Sequence, residues 1–307
     1  MDFGEKLKEI RKQQGLSQEQ LAEKIGVSRQ AITKWETGKG MPDIENMMIL
    51  AEIFKTTIDD LISNATAVIK EAEEKYTSET LYDIDCDTHF DICLGNANTI
   101  MVCTGTDEKL HVKLESATIS DLESVFKVKL DENRGRLDVN CVNKNGISRF
   151  EVAEALNITI CLPKKFTRHC EVAASANELF LNQLELERLE YDGDATKIYI
   201  SNCKGSLEFT GKTDYDIMVE NLCGGIDVTQ WRAKTVLHIP EEIQYQVKNN
   251  GKMSKVFCRK NGETCEIPNV AESQNVVSVS GVFAELMIDR IKLFVLKSKV
   301  GVENWEG

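Results

Sequence analysis

Residues 16–38 narrow the folding options of this chain more than any other stretch. They read Leu16-Ser17-Gln18-Glu19-Gln20-Leu21-Ala22-Glu23-Lys24-Ile25-Gly26-Val27-Ser28-Arg29-Gln30-Ala31-Ile32-Thr33-Lys34-Trp35-Glu36-Thr37-Gly38. Ser17 is a good N-cap, and Gln20 three residues later completes a capping box that starts a helix. Leu21, Ala22 and Ile25 then share one face at helical spacing, and Gly26 suits the left-handed residue that ends the turn. Val27 is apolar and fits between two helices. Ser28 caps a second helix that runs to about Thr37 and stops at Gly38. Within it Ala31, Ile32 and Trp35 turn inward, which leaves Arg29, Gln30, Thr33 and Lys34 facing out. Two short helices joined by a Gly-containing turn form a helix-turn-helix.

The outward residues have the chemistry to read a DNA major groove. Arg can chelate guanine O6 and N7, and Gln can chelate adenine N6 and N7. Gln18, at the start of its helix, can donate to a phosphate. Thr37 and Lys39 are placed for backbone phosphates, and Ser28 at the N-cap completes the candidate set. Spacing alone leaves a second reading open, a small helical domain whose polar face is merely solvated.

Residues 3–63 resemble the Cro/repressor-type, or XRE, helix-turn-helix family. The resemblance rests on a first helix over 3–14 with Leu7, Ile10 and Arg11, on the Leu-Ser-Gln-Glu-Gln-Leu-Ala and Val-Ser-Arg-Gln-Ala-Ile-Thr-Lys-Trp-Glu-Thr-Gly runs, and on Pro42 followed by a helix over 44–54. A short last helix over 58–62 closes the pattern. The resemblance implies a five-helix bundle that contacts DNA through Gln18, Arg29, Gln30, Thr33 and Lys34, with a structural role for Glu36.

At 307 residues the chain is too long for that bundle alone. The expected organisation is a DNA-binding domain over 1–63, a linker over 64–80 that is either a short helix or a tether, and a larger domain over 81–307. A net charge of -13 looks wrong for a DNA binder. However, residues 1–63 hold nine Lys or Arg against eleven Asp or Glu, so most of the excess acid lies beyond them. Selective, salt-sensitive binding with weak non-specific affinity is expected. No run long enough to span a membrane is present. The first residues enter a helix that the bundle needs, so no cleaved signal is expected, and the location expected is cytoplasmic.

From Leu81 onward the apolar period changes from helical to two. Examples are Leu110-Val112-Leu114, Ile158-Ile160-Leu162, Leu207-Phe209 and Ile226-Val228, with Asn, Asp and Gly turns between them. Asn202-Cys203-Lys204-Gly205-Ser206-Leu207 recurs 19 positions later as Asn221-Leu222-Cys223-Gly224-Gly225-Ile226, and Ile217 and Val236 keep that offset. A period near 20 is what stacked β-solenoid rungs require. A β-sandwich with evenly spaced hairpins is the alternative. Residues 158–163, the Gly205 and Gly225 turns and residues 236–240 also resemble an adhesin-like β-solenoid domain of unknown function, which implies architecture only. The final residues, 281–307, are expected to close or cap this domain, with an exposed oligomerisation edge as the alternative.

Ten cysteines and four histidines are scattered without a Cys-x-x-Cys pair, so no metal site or other cofactor is expected. Runs such as Ile92-Cys93-Leu94 and Ile160-Cys161-Leu162 suggest thiols packed as small hydrophobes, with metal or redox sensing as the alternative. The chain also lacks a nucleophile elbow, a phosphate loop and a His-Glu-x-x-His, so no enzyme and no catalytic residue are expected. The function expected is transcriptional regulation of the bacterial repressor type, binding double-stranded DNA as a homodimer, with activation or repression left open by the sequence. The β-domain would oligomerise it or receive a protein or small-molecule effector. The alternative is an interaction scaffold that the N-terminal domain localises to DNA.

Overall fold

The computed structural model describes residues 3–14, 16–42, 44–54, 75–268, 270 and 272–292. The chain divides into two compact units, residues 1–73 and 74–307.

Four helices are described in the first unit: α1 (Phe3–Gln13), α2 (Gln18–Ile25), α3 (Arg29–Glu36) and α4 (Ile44–Phe54). The expected fifth helix over 58–62 lies outside the described residues. Leu7, Leu21, Ile32 and Leu50 are fully buried and pack with Phe3, Trp35, Met47 and Phe54. Each such side chain contributes about 1.5–3 kcal/mol by leaving water. A Cβ on Gly4 would run into the carbonyl of Trp35. Glycine there lets α1 press against the C-terminal end of α3.

The second unit is all-β apart from two short helices, α5 (Leu122–Val125) and α6 (Arg149–Ala155). Its strands are β1 (Tyr76–Asp83), β2 (Thr88–Gly105), β3 (Lys109–Ser116), β4 (Phe126–Asn133), β5 (Arg136–Asn143), β6 (Asn157–Pro163), β7 (Thr167–Asn182), β8 (Glu185–Asp192) and β9 (Ala195–Ser201). They continue as β10 (Cys203–Gly211), β11 (Tyr215–Val219), β12 (Leu222–Trp231), β13 (Lys234–Pro240), β14 (Gln246–Asn249), β15 (Lys255–Lys260), β16 (Glu263–Thr264), β17 (Val276–Val282) and β18 (Glu285–Ile291).

Two parallel ladders organise them. One runs β5-β2-β7-β8-β10-β12-β17-β14. The other runs β6-β2-β7-β9-β11-β13-β18-β15. The long strands β2 and β7 belong to both. Three antiparallel pairs lie at one end, β1 with β3, β3 with β6, and β4 with β5, and a short one, β15 with β16, lies at the other.

Side-chain alternation places one column of aliphatics inside each ladder. Leu189, Leu207, Ile226 and Val277 stand in register in the first. Ile198, Ile217, Leu237 and Ile288 do so in the second. All eight are buried. At the corners Gly205 pairs with Gly224, and a Cβ on Gly224 would strike the Gly205 carbonyl. With φ of +142° at Gly224, a side chain is excluded by conformation as well as by space.

Several sequence expectations shift. The 19-residue offset holds between β10 and β12, but Ile217 pairs with Leu237 and Val236 with Asp216. The step from β9 to β11 keeps 19, pairing Ile198 with Ile217, so one extra residue between β11 and β13 moves that register. Strand β1 begins at Tyr76, inside the segment read as a linker; its half-buried positions Ser78, Thr80 and Tyr82 carry little apolar signal. The described part of 281–307 is not a cap. Strand β18 lies between β13 and β15, and β17 between β12 and β14, so β14 and β15 stand outside them. The run Leu293-Phe294-Val295-Leu296 lies outside the described residues. The cysteines are mostly not core. Cys170, Cys203 and Cys258 are buried, but Cys86, Cys93 and Cys223 are exposed, and the remaining four are intermediate. In Ile92-Cys93-Leu94 the alternation sends Ile92 and Leu94 inward, and therefore Cys93 out.

Candidate nucleic-acid interface

The helix pair is built as its caps dictate. The Gln20 N–H donates to Ser17 Oγ at 3.1 Å while Gln20 Oε1 accepts from the Ser17 N–H at 2.8 Å. Gly26 adopts φ 80° and its N–H returns to the carbonyls of Ala22 and Glu23. Ser28 Oγ then accepts from the Ala31 N–H at 3.2 Å and starts α3. Leu21, Ala22 and Ile25 of α2 and Ile32, Trp35 and Glu36 of α3 are buried.

Every outward position predicted on α3 is exposed: Arg29, Gln30, Thr33 and Lys34, with Ser28 before the helix and Thr37 and Lys39 after it. The Arg29 guanidinium comes within 3.9 Å of Glu19, but both side chains are largely in water, so the pair holds Arg29 only loosely. The Thr37 hydroxyl donates to the Thr33 carbonyl at 2.7 Å.

Gln18 differs from the rest of the set. It is half-buried, and its Nε2 donates to Glu36 Oε2 at 2.7 Å. The Thr33 hydroxyl lies 3.3 Å from Gln18 Oε1 and 3.0 Å from the Arg29 carbonyl. Behind them Arg11 forks onto Glu36, with Nε 2.6 Å from Oε1 and Nη2 3.1 Å from Oε2. A further Arg11 N–H reaches the Leu16 carbonyl at 2.7 Å. Burial pushes the Glu36 carboxyl up, but the hydrogen bonds from Arg11 and Gln18 outweigh it and hold its pKa below the usual range. The network therefore ties α1, α2 and the exposed row of α3 together. Inward charges on two helices that cannot both face water, Arg11 and Glu36, were the available signal. Pattern reading that tracks only apolar positions misses the Gln18 bridge.

A family model described as Helix-turn-helix matches residues 7–61. The HTH-type transcriptional activator BcrR of Enterococcus faecalis is 42% identical over 84 residues, which are 27% of this chain and 41% of BcrR. The chain thus matches less than half of that relative's length. YonR, an uncharacterized HTH-type transcriptional regulator of Bacillus subtilis derived from the SPbeta prophage, is 35% identical over 79 residues, which are 26% of this chain and 73% of YonR. This chain belongs to the helix-turn-helix transcriptional regulators. Beyond its helix-turn-helix, a solved structure described as a candidate cell adhesion protein of Clostridium sporogenes covers 70% of the chain and 100% of its own length, at 12% identity and a TM-score of 0.33.

Elsewhere in this helix-turn-helix chain, no group of three or more His, Cys, Asp or Glu side chains is placed to hold a metal ion among the described residues. No helix among them is long and apolar enough to cross a membrane.

Proposed function

We propose that the chain is a sequence-specific DNA-binding transcriptional regulator that places α3 in the major groove. The observation that carries this reading is the exposed row Arg29, Gln30, Thr33 and Lys34 on a helix whose opposite side is locked by the Arg11–Glu36–Gln18 network. Arg29 and Gln30, on the first turn, would read base edges, with Thr33 and Lys34 one turn further on. Ser28, Thr37 and Lys39 would position the helix on the phosphates. Gln18 keeps one amide N–H beyond the one given to Glu36, and that N–H would meet a phosphate.

The protein would act as a dimer on a pseudo-palindromic site with half-sites about 34–36 Å apart. The parallel ladders support a β-solenoid for the second unit, which would oligomerise the regulator or take a protein or small-molecule effector. Its excess of acid would repel bulk DNA and sharpen selection for the operator.

Selection of an operator from a random duplex pool, followed by binding titrations, tests this. Arg29→Ala or Gln30→Ala should each cost about 1–3 kcal/mol and relax specificity at one base pair, whereas Lys39→Ala should weaken all sequences and lower the salt slope by about 1. Recovery of no preferred sequence by the full chain would sink the reading and favour the scaffold.

A further inference from the structure

The outer surface of the β unit carries a side-chain cluster that DNA recognition does not use. His111 on β3 stands in register with Cys161 on β6, and Cys161 with Cys103 on β2. All three face away from the core, because Leu110, Val112, Ile160, Leu162 and Val102 take the inward positions. Cys103 Sγ lies 3.0 Å from Cys161 Sγ and 3.6 Å from the Ile160 carbonyl. Directly paired residues on neighbouring strands have Cα atoms about 5 Å apart, within the span of a disulfide. Both cysteines are half-buried.

His111 is gripped from both sides. Its Nδ1 lies 3.1 Å from Glu79 of β1 and its Nε2 lies 2.9 Å from Asp107. Burial works against charging the ring, but the two carboxylates outweigh it and raise its pKa. An imidazolium beside a cysteine favours the thiolate. At Cys161 the hydrogen bond with Cys103 and the charge on His111 together overcome burial, whereas the same bond and burial keep Cys103 protonated. Cys161, the thiol in register with His111, is therefore the better placed of the two to attack.

We propose that Cys161 and Cys103 form an oxidation site at which a small hydroperoxide converts the dithiol to a disulfide. The Cys161 thiolate attacks one peroxide oxygen and the O–O bond breaks. This leaves a sulfenic acid on Cys161 and releases an alkoxide or hydroxide that takes up a proton. Cys103 sulfur then attacks the sulfenic sulfur, the S–S bond forms, and the hydroxyl leaves as water with the Cys103 proton. Overall the two thiols lose two hydrogens, and the peroxide is reduced to an alcohol and water, or to two waters when it is hydrogen peroxide.

A second pair supplies an internal comparison. Cys258 and Cys265 also place their sulfurs 3.0 Å apart, but burial of Cys258 pushes its thiol up to about 12, so it should react slowly.

The test is hydrogen peroxide titration of the reduced full chain at neutral pH, quenched by alkylation and read by mass. The expected product has lost two hydrogens, joins the Cys103 and Cys161 peptides without reductant, and reverts when reductant is added. Cys103→Ser should accumulate a sulfenic acid on Cys161 that a diketone probe captures, and Cys161→Ser should abolish the fast phase. His111→Gln should slow Cys161 oxidation on the order of tenfold, the loss of thiolate expected for one pKa unit, and leave Cys258 unaffected. Far-UV circular dichroism checks that each variant keeps its strands. Oxidation of Cys161 no faster than that of exposed Cys93, earlier closure of Cys258–Cys265, or an unchanged rate in folded His111→Gln would each overturn the proposal.

Discussion

The two units of this chain hold themselves together by opposite means. Among the described residues, the charged side chains that are buried all belong to the helical unit: Lys6, Arg11 and Glu36. The buried polar residues of the β unit are neutral, and its interior is columns of aliphatics repeated from strand to strand. In the helical unit a few directional contacts set the pose of one short helix. In the β unit many similar contacts set a repeating ladder. A fold of the first kind depends on particular residues, while one of the second depends on their sum.

Substitutions should expose that difference. The largest effect is expected from Glu36→Ala, which strands Arg11 as an uncompensated buried cation and should cost the helical unit about 3–5 kcal/mol. Its helical unfolding transition should fall while the β unit melts unchanged, and Arg11→Met with Glu36→Leu should recover part of the loss. A joint shift of both transitions would break the comparison. Leu207→Ala, in the middle of an apolar column, should cost about 2–5 kcal/mol and be felt by the β unit alone.

Acid is a gentler probe of the same contrast. The Glu36 carboxyl is depressed in the folded state, so its contribution is present above the unfolded carboxylate range and is lost as pH falls through the folded value. His111 is raised, so its contribution is complete below the unfolded histidine range and disappears as pH climbs through the folded value. Acidification should therefore weaken the helical unit, and mild alkali should loosen β1 from β3. Hydrogen exchange across the pH range reads both, and opposite signs would refute the assignment. The smallest effect is expected from Arg188→Ala. It removes surface pairs to Glu190 and Glu208 with its side chain 44% exposed and should cost less than about 1 kcal/mol in thermal melts.

Legibility followed the range of the determining contacts. Ser17, Gln20, Gly26 and Ser28 act within four residues of themselves, so the helix pair and its outward row could be read along the chain. The Gln18 bridge spans 18 positions and Arg11–Glu36 spans 25, and neither leaves a periodic trace. In the β unit the repeat shows only where successive rungs are also successive in the chain. The offset is 19 from Ile226 back to Leu207, but the next rung on the ladder supplies Val277, 51 residues on. Strand β2 is displaced in the same way, since it lies between β5 and β7 on the first ladder and between β6 and β7 on the second. The cysteine pairing was hidden for the same reason, because Cys103 and Cys161 meet through β2 and β6 across 58 positions.

The displaced rung at residues 276–291 also sets an order of events during synthesis. Strands β14 and β15 leave the ribosome first, yet their parallel partners are β17 and β18, which have not been made. Until translation passes about thirty residues further, residues 246–260 lack their parallel partners and have only the short β16 to pair with. A chain stalled before Val276 would present them without those partners to a protease or a chaperone. Completion of that late rung is then the moment at which this end of the protein becomes safe from both.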